Sequence, residues 1–64
     1  MCEANVYLVD ETGNEVLILD SVDKVIPCEN EITLENIYSE RRTLKARIKM
    51  MELVEHRILL ENLD

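Results

Sequence analysis

Few residues in this chain are suited to chemistry: Cys2, Cys28, His56 and the pair Met50-Met51. Cys2 follows Met1 directly, so its thiolate lies a few bonds from terminal nitrogen. With Met1 removed, the free amine and the thiolate of Cys2 close a five-membered chelate ring. With Met1 kept, its amine and the Cys2 amide nitrogen join the same sulfur. Either way one chain offers N and S donors with little loop-closure entropy to overcome. One such terminus leaves coordination positions open, and a two-fold dimer brings the same patch of both chains together. The resulting N2S2 set suits a square-planar d8 ion such as Ni(II), although Zn(II) and Cu ions could take the same donors. The thiols must deprotonate to bind, so affinity should weaken as pH falls through the thiol range.

The remaining candidates each carry a plainer reading beside the chemical one. His56 is the only histidine, and imidazole is a good nickel ligand, yet a lone His at a strand entrance is commonly a surface or hydrogen-bonded residue. Met50 and Met51 are soft donors or, more ordinarily, core filling. Cys28 stands in the turn Pro27-Cys28-Glu29-Asn30 and reads as a semi-exposed bystander; separate thiols, not a Cys2–Cys28 disulfide, fit an intracellular chain. Nothing resembles CxxC, a paired HxxxH or a zinc-finger spacing. Catalysis has no support either, with no Ser-His-Asp order, Gly-rich phosphate loop or positioned carboxylate pair. Lys45, Arg47 and Lys49 would line one face if residues 43–50 form a strand, extended by Arg41 and Arg42. That basic stripe could contact RNA phosphates, but only Tyr38 is near enough to stack a base. Pairing with Glu side chains on adjacent strands is the alternative.

Composition sets the frame in which these residues must be held. Sixty-four residues make one domain, 1–64, and a chain of this size buries only roughly 60% of its unfolded surface. A disulfide network, a metal or a second subunit usually supplements so small a core. There is no Trp or Phe, so the core must be built from Val, Leu, Ile and Met. The formal net charge of −7 disfavours binding driven by phosphate contacts or by anionic membranes. No apolar run is long enough to span a bilayer. The start MCEANVYLVDE lacks the basic flank and apolar stretch of a secretory signal. The expected compartment is the cytosol.

The elements that would position Cys2 begin immediately after it. Ala4–Val9 is β-rich, Asp10 to Asn14 is a loop with the only glycine, and Val16–Leu19 is a second apolar run; together they predict a hairpin. Asp20–Lys24 reads as a connection, Pro27–Asn30 as a turn, and Ile32–Leu34 as the next strand. From Ser39 to Leu63 the residues support two readings. Good helix formers dominate, and Leu44, Ile48, Met51 and Ile58 fall near helical spacing. Equally, Leu44, Ala46, Ile48 and Met50 alternate with Thr43, Lys45, Arg47 and Lys49, the period of a half-buried strand. The all-β reading needs a turn near Glu52–Glu55 that no Gly or Pro marks. The alternative is a hairpin followed by a long C-terminal helix, which could serve as a coiled-coil-like arm.

The opening Met1-Cys2 before a β stretch, the acidic turn Asp10 to Asn14, the middle Ile32-Thr33-Leu34-Glu35-Asn36-Ile37-Tyr38 and the ending Ala46-Arg47-Ile48-Lys49 … Leu53 to Glu61 resemble the CooT family. These are small nickel-binding accessory proteins associated with carbon monoxide dehydrogenase maturation, and members of the wider group have been labelled RNA-binding. The resemblance implies a compact all-β, barrel-like antiparallel homodimer and tips residues 39–63 toward strands. It also implies that nickel sits at the dimer interface on the cysteine after the initiator methionine, which here is Cys2, with Met1 beside it. The function so implied is non-enzymatic: holding or relaying Ni(II) for a nickel-enzyme client.

Overall fold

A computed structural model describes residues 3–63. They form six strands and no helix: β1 (Ala4–Val9), β2 (Glu15–Pro27), β3 (Ile32–Asn36), β4 (Arg41–Leu44), β5 (Ala46–Glu52) and β6 (Arg57–Asn62). The protein is therefore all-β, and the alternative C-terminal helix is absent. Period two won over helical spacing because Leu44, Ala46 and Ile48 all turn toward one core. A straight helix could not have placed three residues at i, i+2 and i+4 on a single buried line.

One sheet runs in the order β4-β3-β2-β1-β6-β5. Neighbours are antiparallel except β1 and β6, which pair parallel from Asn5↔Arg57 to Val9↔Glu61. The sheet is barrel-like in its curl but not closed. Its two edge strands, β4 and β5, are not hydrogen-bonded neighbours, yet Lys45 alone joins them in the chain. The sheet must coil until its edges meet at that corner, where the Lys45 carbonyl accepts from the Leu63 N–H at 3.2 Å.

Strand β2 makes the opposite corner. The stretch Asp20–Lys24 is not a connection, as its polar residues suggest, but the middle of a 13-residue strand. Its first half pairs with β1 and its second half with β3, and Val22 is partnered on both sides, by Ala4 and Asn36. Ser21 makes the bend with φ of 55°. Its N–H donates to Asn5 Oδ1 at 3.3 Å, and its carbonyl accepts from the Ile37 N–H at 3.0 Å.

Inside the coil lie Val6, Leu19, Val22, Ile32, Leu34, Ala46, Ile58 and Leu60. The core is aliphatic, drawn from every strand but β4, whose Leu44 packs at its margin. The alternation in β5 stops at a bulge: Ile48 faces Leu60 and Met50 faces Leu59, leaving Lys49 as the extra residue. A bulge re-aims the side chains beyond it, and Met50 and Met51 accordingly stand about half exposed, at 49% and 53%, instead of filling the core.

Candidate metal centre

The parallel β1–β6 ladder decides what stands beside the start of β1. Its first register pair is Asn5↔Arg57, so the turn that delivers β6 ends against the residues next to Cys2. In that turn the Glu55 N–H donates to the Glu52 carbonyl at 3.1 Å and the His56 N–H to the Leu53 carbonyl at 3.2 Å. His56 then takes φ of 57°, supplying the reversal that no Gly or Pro announced. This left-handed conformation is uncommon outside Gly, though His, Asn and Asp tolerate it better than most residues.

Two contacts tie His56 to β1 and to the residue before it. Its carbonyl accepts from the Asn5 N–H at 2.9 Å, and its ring Nδ1 lies 3.2 Å from the Glu3 carbonyl oxygen. A carbonyl only accepts, so the proton of this hydrogen bond belongs to Nδ1. In the neutral ring Nε2 is then the nitrogen with the free lone pair. Arg57 braces the next position: its guanidinium pairs with Glu15 and with Glu52 (3.3 Å) and lies 5.1 Å from the centroid of the Tyr7 ring. His56, Glu3 and Ala4 border an open hollow of about 300 Å³ whose floor is Val22, Val25 and Ile58. Leu53 stands at its rim, 69% exposed, and Val54 beside it in the chain is 89% exposed.

Met1 and Cys2, the expected metal ligands, lie outside the described residues. Glu3 follows Cys2 directly, so the segment that would carry the thiolate enters the fold beside His56. Among the described residues, no group of three or more His, Cys, Asp or Glu side chains is placed to hold a metal ion. A thiolate, main-chain nitrogen and an imidazole are donor types that suit Ni(II), and of these the described residues place the His56 ring, against the Glu3 carbonyl. Cys28 is exposed in the turn after β2, where its N–H donates to the Glu31 carbonyl at 2.8 Å.

The five basic residues of the stripe do not share a strand. Arg41 and Arg42 are on β4, Lys45 is at the corner, and Arg47 and Lys49 are on β5, at the far end of the strand order. Arg41 binds Glu35 at 2.8 Å, Arg47 binds Glu61 at 2.7 Å, and Arg42 reaches the Ile18 carbonyl at 3.5 Å. The Arg41 hydrogen bond, with the positive charges of Arg41 and Lys24, holds the Glu35 carboxyl below its usual range despite some desolvation. Lys49 borders a separate hollow with Asp10, Glu11 and Glu61. Cross-strand pairing with Glu thus occupies two of the arginines.

Sequence reasoning named His56 but had no means of bringing it to the start of the chain. The contact joins residues 53 positions apart and depends on the parallel pairing of the first and last strands, which no local pattern encodes.

Comparison with known proteins matches residues 1–61 to the family described as CO dehydrogenase accessory protein CooT. The fold is similar to the crystal structure of a provisionally assigned CooT from Carboxydothermus hydrogenoformans. The two are 51% identical with a TM-score of 0.90, over 98% of this chain and 100% of the other. No curated protein matches the chain.

Proposed function

The chain belongs to the CooT family, and from that premise we propose that it carries Ni(II) for carbon monoxide dehydrogenase maturation, binding the ion between two copies through Cys2. The family supports the accessory role. The observation that supports the metal reading is the hydrogen bond from the His56 ring to the carbonyl of Glu3, the residue that follows Cys2, which leaves Nε2 as the nitrogen able to bind an ion. Cys2 supplies a soft thiolate and the adjoining main chain supplies nitrogen. One chain cannot complete a square plane from these, and a second copy related by a two-fold axis brings the same donors again. The apolar hollow and the exposed Leu53-Val54 tip beside Glu3 give that second copy a surface to cover.

A carrier must also let go. A site made at the edge of the fold by two short chain segments is reached by a client's ligands without unfolding either subunit. Proton competition for the thiolates further weakens the grip as pH falls.

The test is a titration of the protein with Ni(II), followed by calorimetry and ultraviolet absorption. Wild type should show thiolate-to-nickel charge-transfer bands and one ion for each pair of chains, and Cys2→Ala should lose both. Nickel binding that survives unchanged in Cys2→Ala would remove Cys2 from the account.

A further inference from the structure

We propose that His56 is itself a nickel ligand, adding its Nε2 to the donors that each chain brings from Cys2. The inference rests on the nickel reading above and adds an imidazole to the thiolate and main-chain nitrogen donors of that reading. Its ground is the way the ring is held. Metal-binding histidines characteristically donate the distal ring N–H to a carbonyl or carboxylate, which fixes the tautomer and the ring plane and makes the other nitrogen more basic. His56 has this arrangement with a main-chain carbonyl, Nδ1 to Glu3 at 3.2 Å. The accepting carbonyl belongs to the residue joined to Cys2. Successive Cα atoms across a trans peptide are about 3.8 Å apart, so the thiolate-bearing residue is the immediate neighbour of the one that orients the ring.

Three further features fit a ligand better than a bystander. The ring is exposed at the border of the hollow that opens beside Glu3 and Ala4, so an ion can reach it. The backbone at His56 holds a left-handed φ of 57°, where Gly would be easier. Strain of this kind is tolerated where the surroundings enforce it, commonly at functional sites. The enforcement here is visible: the Asn5 N–H holds the His56 carbonyl at 2.9 Å, and Arg57 is clamped by Glu15, Glu52 and the Tyr7 ring. The imidazole is thereby fixed against the residue that follows Cys2, and an ion shared with the thiolate would meet a ring already oriented.

The discriminating variant is His56→Asn. Asparagine tolerates the left-handed backbone, and its amide N–H₂ can replace Nδ1–H on the Glu3 carbonyl, but it has nothing in the place of Nε2. Nickel-loaded wild type, prepared with Ni(II) alone, should show the outer-shell multiple scattering of imidazole in its X-ray absorption spectrum. His56→Asn should lose that scattering, bind Ni(II) roughly 10–100-fold more weakly, and keep the thiolate charge-transfer band. A urea melt equal to wild type certifies that the variant is folded; should it fail to fold, the wild-type spectrum decides the matter alone. Charge transfer that depends on Cys2 without imidazole scattering in wild type overturns the His56 assignment and leaves the nickel reading intact, as does unchanged affinity in His56→Asn. Wild type with no Cys2-dependent charge transfer overturns both.

Discussion

The turns Asp10–Asn14 and Asn36–Glu40 satisfy their main-chain groups in the same way. In each, the side-chain Oδ1 of the first residue accepts from the main-chain N–H groups two and four positions on: Thr12 and Asn14 at 2.9 and 3.0 Å, Tyr38 and Glu40 at 3.0 and 2.9 Å. In each, the first N–H donates to the fifth carbonyl, and the fourth N–H donates to the first carbonyl. In each, the fourth residue is left-handed, Gly13 at φ 89° and Ser39 at 65°. They differ in charge and in exposure. Asp10 is exposed, whereas Asn36 is 2% exposed and also donates to Glu40 Oε1 at 2.7 Å. An ionised acceptor serves where water surrounds it; a buried one must be neutral and have every polar atom matched. The turn at Glu52–His56 belongs to a third kind, because its support comes from β1 and not from its own side chains. The first two turns hold the scaffold, and the third couples the scaffold to the segment that begins with Cys2.

The comparison breaks most visibly if the two acceptors are deleted. Asn36→Ala removes three part-buried hydrogen bonds, to the Tyr38 and Glu40 N–H groups and to Glu40 Oε1, at a cost of about 2–4 kcal/mol. For a domain of this size each kcal/mol is worth roughly 4–8 °C in Tm. A circular-dichroism melt should therefore fall by roughly 10–25 °C. Asp10→Ala should shift it several-fold less, since water can replace the lost acceptor. Equal losses would mean that burial is not what separates the turns.

How much of this was legible follows the same division. Asp10-Glu11-Thr12-Gly13-Asn14 announces its turn in sequence, because Asp, Gly and Asn each supply part of the local wiring. Asn36-Ile37-Tyr38-Ser39-Glu40 makes the same turn without the glycine that would mark it. The alternation of Leu44, Ala46 and Ile48 fits the strands but competes with helical spacing in the same residues, and the bulge at Lys49 that turns Met50 outward leaves no local mark. Asp20–Lys24 misleads because a strand crossing a corner exposes polar residues on both sides of its bend. At the candidate site, the types of Cys2 and His56 were readable, but the contact of His56 with Glu3 was not. Parallel pairing of β1 with β6 is a property of the whole sheet, decided by how the coil fills its core.

Acid sharpens the comparison at a smaller scale. The Thr12 hydroxyl first, and then the Asn14 N–H, hold the Asp10 carboxyl below its ordinary value, against slight desolvation. A carboxyl with a lowered folded pKa favours folding above its unfolded value, near 3.9, and that contribution fades as pH falls through the folded one. The acceptor of the other turn, the Asn36 amide oxygen, carries no charge to titrate. Urea midpoints measured from pH 6 to pH 2 should fall below about pH 4 in wild type and fall less steeply in Asp10→Asn, which keeps the acceptor oxygen. The slope that remains should carry the Glu35–Arg41 pair, whose carboxyl is lowered in the same direction. Identical slopes in the two proteins would mean that Asp10 does not titrate differently on folding.

The finest contrast is at the fourth residue of each turn, where the backbone conformation is shared and the side chain is not. A Cβ built on Gly13 meets nothing within 4 Å, so Gly13→Ala introduces no clash and isolates the cost of a left-handed backbone with a side chain. Ser39 already bears that cost, and Ser39→Gly should relieve it, partly offset by the extra freedom glycine gives the unfolded chain. Gly13→Ala should therefore destabilise by about 1 kcal/mol, and Ser39→Gly should stabilise by a few tenths, about 0.3–0.5 kcal/mol. Chemical denaturation at neutral pH resolves both. Opposite signs would show that the two turns share one backbone geometry to within its energetics. A loss in Ser39→Gly would mean that the serine side chain contributes more to its turn than the left-handed φ takes away, and the likeness of the two turns would then end at their hydrogen bonds.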